Sequence, residues 1–539
     1  MRGASAMNPT DQTWDVVIVG TGMGGATLGY ALAKAGLSVL FCERGRSYPG
    51  SGAKNSLCGD YPETFADDPW HDQVEFKDIL RRGGRHDEEI LDRSDRRSKP
   101  FIPFIGSGIG GSSALYGMAL ERFFPADFVP RRNHPGAYGT DLPESWPISY
   151  QDLEPYYARA EALYRVRGEA DPLRNEAPGQ LLTPSPMPGG QQELFDFLAG
   201  RGLHPYRLHM ACEYVATCQL CQGYLCKQGC KNDSARICLE PALTQYGATL
   251  LDECQIVSLQ ASDTRVTGVN CIRKGRQFSV QGKMVVLAAG ALHTPAILLA
   301  SKSSQWPLGL ANTSGFVGRC MMRHYVDLYV MKRNRSDGNA DKTIAFNDFY
   351  QMGDEKLGSV QSFGQLPPAA LLAENLCSDI RNGPAPWLLG PFNLLKPLVT
   401  AFLHRLSERG VVLASLMEDL PYYENHVSLE EGQLAFQYRI RPYDKERIKA
   451  MRALLRNTLG PRRPMLIKQA ENNERIAHVC GTCRMGTDKA DSVLDPDCRA
   501  HDIDNLYIVD ASFFPSSGGS NPALTIAANA LRVAERILA

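Results

Sequence analysis

Apolar positions fall along this chain in two rhythms. Residues 15–20 (DVVIVG) form a short, continuous apolar run suited to a parallel strand buried on both faces. Gly20-Thr21-Gly22-Met23-Gly24-Gly25 follows, then a helical stretch at 26–36 and a second strand at 37–42 that ends at Glu43. Residues 285–301 repeat the strand–turn–helix rhythm, with Thr294 suited to the helix N-cap and Pro295 to the first helical position. Asn521 and Pro522 suit the same two positions ahead of the helical run ALTIAANALRVAERI. Residues 321–334 and 427–440 alternate apolar and polar, the second across Glu430-Glu431-Gly432, which predicts antiparallel strands. Residues 171–191, rich in Pro and Gly, read as an irregular connector. The stretch 386–403 is apolar, but Gly390, Pro391, Lys396 and Pro397 interrupt it. A bilayer span needs roughly 20 mostly apolar residues in a row, so a loop packed on the core is expected there.

The first strand–glycine–helix–strand unit has the form of a dinucleotide fingerprint. Gly20 permits the tight turn, Gly22 lets backbone approach a pyrophosphate, and Gly25 lets helix and strand pack closely. The helix N-terminus offers N–H donors and positive dipole to the phosphates. Glu43 is placed to accept hydrogen bonds from ribose hydroxyls, and its charge repels a 2′-phosphate, which disfavours NADP. The fingerprint does not separate FAD from NAD.

Four later blocks do. Residues 106–122 (GSGIGGSSALYGMALER), 285–301 (VVLAAGALHTPAILLAS), 476–486 (IAHVCGTCRMG) and 505–530 (NLYIVDASFFPSSGGSNPALTIAANA) resemble signature segments of the glucose–methanol–choline (GMC) oxidoreductases. That resemblance implies an α/β fold: a Rossmann-like FAD-binding domain with an inserted α+β substrate domain containing an antiparallel sheet. Its divisions fall at 12–125, 206–320 and 472–539 for the FAD domain. Residues 126–205 and 321–471 go to the substrate domain with its cap and connector segments. It also implies that Gly110, Gly111 and Ser112 run beside the flavin, that the Ile256 backbone meets adenine, and that Asp510 and Ala511 contact the FAD chain. Pro522 then opens a helix whose positive end faces the flavin pyrimidine. The family's His–His or His–Asn pair falls on His478 and Asn521.

Alcohol oxidation explains why such a pair is wanted. The hydroxyl proton must leave as hydride moves from the same carbon to the flavin. A neutral imidazole titrates near working pH and takes the proton, which assigns the base to His478. Asn521 holds the substrate oxygen through its amide. His324 and His501 also lie in family-like segments and are read as structural. Some relatives tether flavin through a histidine at the position occupied here by Leu115, so non-covalent FAD is expected; the next position, often asparagine, is Tyr116.

Composition adds limits. The 539 residues are 43% hydrophobic and 22% charged, ordinary for a folded chain of two or more domains. A net charge of −1 gives no case for nucleic acid or an anionic membrane. Residues 1–14 lack an apolar core of a signal peptide, and a cytoplasmic location is expected. Of fifteen cysteines, Cys212, Cys218, Cys221, Cys226, Cys230 and Cys238 crowd one segment. Thiols of Cys221, Cys226 and Cys230 suit an iron–sulfur cluster passing electrons to a cytochrome partner, as in some bacterial relatives; a zinc knot, disulfides and metal-free thiols use the same residues.

The resemblance implies a small-molecule alcohol as substrate, sugar-like as in bacterial dehydrogenases, with the 6′-hydroxyl of an aminoglycoside intermediate as one candidate. The final acceptor is oxygen or an electron-acceptor protein. A cationic amino sugar wants carboxylates near it; Asp348, Glu418 and Asp419 lie in the substrate segment but are read as charged surface. The competing class is a lyase of the same fold with a structural FAD.

Overall fold

The computed structural model describes residues 12–48, 57–58, 73–95, 98–177, 179–215, 218, 220–226, 228–332, 342–364, 369, 373, 376–377, 380–381, 385–468, 470–472, 476 and 478–539. Residues 1–11 of the N-terminal expectation and 333–334 of the expected strand lie outside them.

Buried apolar runs make the first sheet. Thr13–Val19 pairs in parallel with Val39–Cys42 on one side and with the end of Arg276–Leu287 on the other. Thr249–Leu251 adds beyond Val39–Cys42, and Leu506–Ile508 adds to Arg276–Leu287, both in parallel. Leu287 stands opposite both Val19 and Ile508, so three strands finish level at one edge. Carboxyl ends of parallel strands are where α/β sheets bind ligands. The glycine turn, Glu43 and Asp510 all follow at this edge. Val266–Arg273 and Cys254–Ala261 complete the seven strands as an antiparallel meander running off Arg276–Leu287. The helices Met23–Lys34 and Ala523–Leu538 pack against each other, burying Leu28 and Leu32 from one and Ala527, Ala528 and Leu531 from the other.

The helix after Leu287 corrects the predicted cap. It runs Gly290–Ala300, so Thr294 and Pro295 lie inside it. A carboxylate from far along the chain sets the start: the Gly290 N–H donates to Asp510 at 2.9 Å. Thr294 reaches back, accepting from the Ala289 N–H at 3.1 Å and donating to Asp510 at 2.5 Å. Proline in a helix leaves the carbonyl four residues earlier without its donor. That carbonyl, on Ala291, accepts from the Thr482 hydroxyl at 2.7 Å.

A second, antiparallel sheet has six strands in the order Met465–Lys468, Tyr325–Lys332, Gly410–Met417, Gly358–Ser362, Ile344–Phe346 and Tyr206–Arg207. The alternating segment at 321–334 supplies one of its strands as expected. The segment at 427–440 forms the hairpin His426–Glu430 and Gln433–Gln437, but in a separate four-stranded sheet with Ile90–Asp92 and Lys99–Phe101.

The apolar stretch at 386–403 is not a loop. It forms a helical turn, Pro386–Leu388, and a helix, Leu389–Arg409. Trp387, Leu394, Leu398 and Phe402 are exposed, and among the described side chains of the helix Leu403 is the one buried. No described helix is long and apolar enough to cross a membrane.

Candidate active site

The glycine turn has the shape a pyrophosphate requires. Gly20 adopts φ +99°, and a methyl added there would lie 2.4 Å from the Ala288 carbonyl oxygen. At Gly25 it would lie 2.3 Å from the Gly20 oxygen, and at Gly24, which sequence reasoning passed over, 2.0 Å from the Val509 oxygen. Gly22 differs: a methyl there meets nothing within 4 Å. Gly22 is also the N-cap of Met23–Lys34 with no side-chain cap, so open space faces the uncapped helix start.

The second glycine loop closes against the first. Gly110 and Gly111 both have positive φ, and a methyl on Gly111 would come 3.1 Å from the Gly22 Cα. The Gly110 N–H donates to the Thr21 hydroxyl at 3.0 Å, and that hydroxyl donates to Glu43 at 2.7 Å. Glu43 also accepts from the Thr21 and Gly45 N–H groups, each at 3.0 Å. Burial raises the Glu43 carboxyl against these hydrogen bonds. Ser112 is exposed, its hydroxyl accepting from the Gly106 N–H. Ile256 is buried two residues past Cys254, whose N–H donates to the Glu43 carbonyl. Asp510 and Ala511 lie at the strand-end edge, where Asp510 also accepts from the Ser512 N–H at 2.8 Å. Burial raises the Asp510 carboxyl.

His478 occupies an unusual backbone position, φ +57°, a conformation costly for a residue with a Cβ and concentrated at functional sites. The adjoining chain is pinned by an antiparallel bridge in which Met322 and Cys480 exchange N–H···O bonds of 3.0 Å in both directions. That register sets residue 324 opposite residue 478. Their rings meet edge to face with Nδ1 to Nδ1 at 2.8 Å. His324, read as structural from sequence, therefore belongs to the site; the clue missing from sequence was the bridge. Its Nε2 reaches the carbonyl oxygens of Gly518 at 3.0 Å and Ser517 at 3.2 Å. Burial lowers His324 to about 4. His501 lies elsewhere, its Nε2 3.0 Å from the Ser492 hydroxyl.

Asn521 does not cap the terminal helix as predicted. Ala523–Leu538 has Pro522 at its cap position, and the Asn521 side chain turns instead to Gln361 on Gly358–Ser362, donating Nδ2–H to Oε1 at 3.0 Å. A buried amide partner outcompetes local capping here. The loop before Asn521 is tied down as well. Ser359 N–H donates to the Gly519 oxygen, Gly519 N–H donates to the Tyr350 hydroxyl, and Asp419 N–H donates to the Ser517 hydroxyl. One loop thus carries Asn521 and the two carbonyls that hold His324.

Residues 14–326 and 421–530 match the N- and C-terminal family models described as GMC oxidoreductase. The chain belongs to the GMC oxidoreductase family. It is therefore an oxidoreductase of a family that binds FAD, and the residues around Gly22 fit that cofactor: open space, an uncapped helix start and a buried acid at the next strand end. Paromamine 6′-oxidase of Streptomyces fradiae is 27% identical over 98% of this chain and 92% of its own length. The 2-methyl-1,2-propanediol dehydrogenase of Mycolicibacterium austroafricanum is 26% identical over 98% and 95%. The crystal structure of pyridoxine 4-oxidase from Mesorbium loti shares the fold at TM-score 0.61, 18% identity, covering 97% of this chain and 99% of that one.

Two expectations for this GMC chain change. Glu418 and Asp419 are fully buried, not surface charges. Glu418 pairs with Lys356 at 2.7 Å and His134 at 2.9 Å, and Asp419 accepts from the Tyr325 and Tyr438 hydroxyls. Burial pushes Asp419 up to about 7. Asp348 accepts from the His204 ring at 2.7 Å. All three carboxylates are committed to protein partners.

The cysteine segment brings several thiols close together. Cys212 and Cys218 have sulfurs 3.6 Å apart, Cys218 and Cys230 3.2 Å, and Cys226 and Cys230 3.4 Å. Disulfide sulfurs stand at about 2.05 Å; each of these thiols is free. The close three-thiol group is Cys212, Cys218 and Cys230. A continuous chain of close thiols that includes Cys212 and Cys218 does not single out Cys221, Cys226 and Cys230, and gives the cluster no support. Cys238 lies apart, buried beside the Tyr164 hydroxyl.

Proposed function

We propose that this GMC oxidoreductase removes hydride from the carbinol carbon of a sugar or amino sugar, with His478 as general base and Asn521 orienting the substrate oxygen. The observation that carries this reading is the 2.8 Å contact between His478 and His324, whose ring is anchored to the loop bearing Asn521. FAD, when bound, supplies the hydride acceptor, with its pyrophosphate expected over Gly22 and its ribose against Glu43. Discontinuous domains with the boundaries given above, and the remaining glycine-loop and C-terminal contacts, belong to the same proposal.

His478 takes the hydroxyl proton as the C–H bond breaks. Asn521 spends one N–H on Gln361, and its second is the donor that orients the substrate oxygen and stabilises developing alkoxide. The 6′-hydroxyl of an aminoglycoside intermediate is the preferred substrate, because two relatives matching nearly the whole chain are paromamine 6′-oxidase and 6‴-hydroxyparomomycin C oxidase. Since Asp348, Glu418 and Asp419 are already paired, a cationic substrate must find other acceptors.

Anaerobic mixing with sugars, amino sugars and simple alcohols tests the reading. We expect an amino sugar alcohol to bleach the visible flavin absorbance. His478→Gln should retain the flavin spectrum and lose about 10²- to 10⁴-fold in turnover. Holoenzyme that no alcohol bleaches would instead favour the lyase alternative.

A further inference from the structure

We infer that His324 is a positioning residue that fixes the tautomer of His478, leaving the proton on Nδ1 of His478 and a lone pair on its Nε2. This rests on His478 being the base; it adds which nitrogen acts and what selects it.

Ser517 and Gly518 present carbonyl oxygens to His324 Nε2 at 3.2 and 3.0 Å. Carbonyl oxygens only accept, so His324 Nε2 carries a hydrogen. Burial holds the His324 ring neutral, and a neutral imidazole has one N–H, so its Nδ1 is an acceptor. The Nδ1 to Nδ1 separation of 2.8 Å is a hydrogen bond and needs one proton between the two nitrogens. His478 Nδ1 must supply it. In the neutral His478 ring the second nitrogen is then the unprotonated one.

The arrangement matches the task. When His478 Nε2 accepts the hydroxyl proton, the ring becomes imidazolium without disturbing its Nδ1–H bond to His324. That bond goes from a neutral to a charge-assisted one, which strengthens it as positive charge develops. No proton needs to pass to His324. The contact also has a fixed frame. His324 stands two residues after Met322 and His478 two before Cys480, so the backbone bridge between Met322 and Cys480 sets their separation. A partner that selects which ring nitrogen is protonated is a general device for tuning histidine.

Holoenzyme carrying ring-¹⁵N histidine reports the tautomer directly through long-range ¹H–¹⁵N correlations, with the His478 signals assigned by their loss in His478→Gln. The expected spectrum shows His478 protonated at Nδ1 and bare at Nε2. In His324→Leu the Nδ1-protonated form should cease to dominate, and turnover should fall roughly 10- to 100-fold with flavin still bound. His324→Asn keeps an oxygen acceptor near the former Nδ1 and should restore at least part of both the tautomer and the rate. A wild-type spectrum with the proton on His478 Nε2 would overturn the inference, as would an unchanged His478 tautomer in His324→Leu. Unimpaired turnover by His478→Gln would sink the base assignment instead, and the tautomer signals are read independently of it.

Discussion

The residues of the glycine turn make separable demands on single positions. A methyl at Gly22 meets no protein atom, and Gly22 has φ −67°, which alanine tolerates. Gly22→Ala is therefore expected to fold with near-native thermal stability but to purify with little flavin, because the methyl occupies space the phosphates need. At Gly24 the added carbon would sit 2.0 Å from the Val509 oxygen. Backbone cannot step aside as a side-chain tip can, so Gly24→Ala should lose both flavin and stability, by about 1–3 kcal/mol or more in denaturant titration. Leu115 is buried at the end of the short helix Gly111–Leu115, and the Tyr116 hydroxyl donates to the Asn232 carbonyl at 2.6 Å. Leucine offers no atom for a flavin bond. Acid precipitation of holoenzyme should leave a colourless pellet and a yellow supernatant; a yellow pellet would contradict non-covalent binding.

Elements are joined here by groups that sequence-local rules assign to other tasks. Asp510 starts the helix Gly290–Ala300, Thr482 completes the hydrogen bonding around Pro295, and Gln361 draws Asn521 off the terminal helix. One such junction is ionic. Lys356 lies fully buried between Asp127, on the turn Pro125–Phe128, and Glu418, just past the strand Gly410–Met417; His134 donates to the same Glu418. Removing the cation leaves two buried carboxylates facing each other. Lys356→Met should cost about 3–5 kcal/mol of unfolding free energy, the range for breaking one side of a buried pair. Methionine keeps most of the volume, so the loss would report charge rather than packing.

At the scale of the whole molecule, burial of ionisable groups ties folding to pH. Burial and the Arg447 charge lower His134 to about 4, against an ordinary value near 6.5. A basic group with a depressed value binds its proton in the unfolded chain first. Its contribution is therefore full above about 6.5 and declines as pH falls towards 4. Asp419, raised to about 7, acts in the opposite sense over an overlapping range, so the total curve does not isolate either group. A difference measurement does. His134→Gln keeps a donor for Glu418 and has no proton to bind. Wild type should lose denaturation midpoint relative to this variant between pH 7.5 and pH 5; equal slopes would refute the assignment.

The sequence by itself determined the family and the class of fold, and it marked the glycine turn and the two C-terminal residues for the chemistry proposed above. Those signals are short-range: a buried run, glycines at fixed steps, and a histidine and an asparagine inside blocks of characteristic composition. It misjudged Thr294 as a cap, the stretch at 386–403 as a loop, and Glu418 and Asp419 as surface, and it did not place His324 beside His478. Thr294, Glu418, Asp419 and His324 were each placed by partners distant in the chain. His324 and His478 are 154 residues apart, Gln361 and Asn521 160, and Thr294 and Asp510 216. A residue's local pattern states what bonds it can make. Only the folded chain decides which partner reaches it first, because burial removes water as the default partner and leaves the nearest complementary group, however remote in sequence, to take its place.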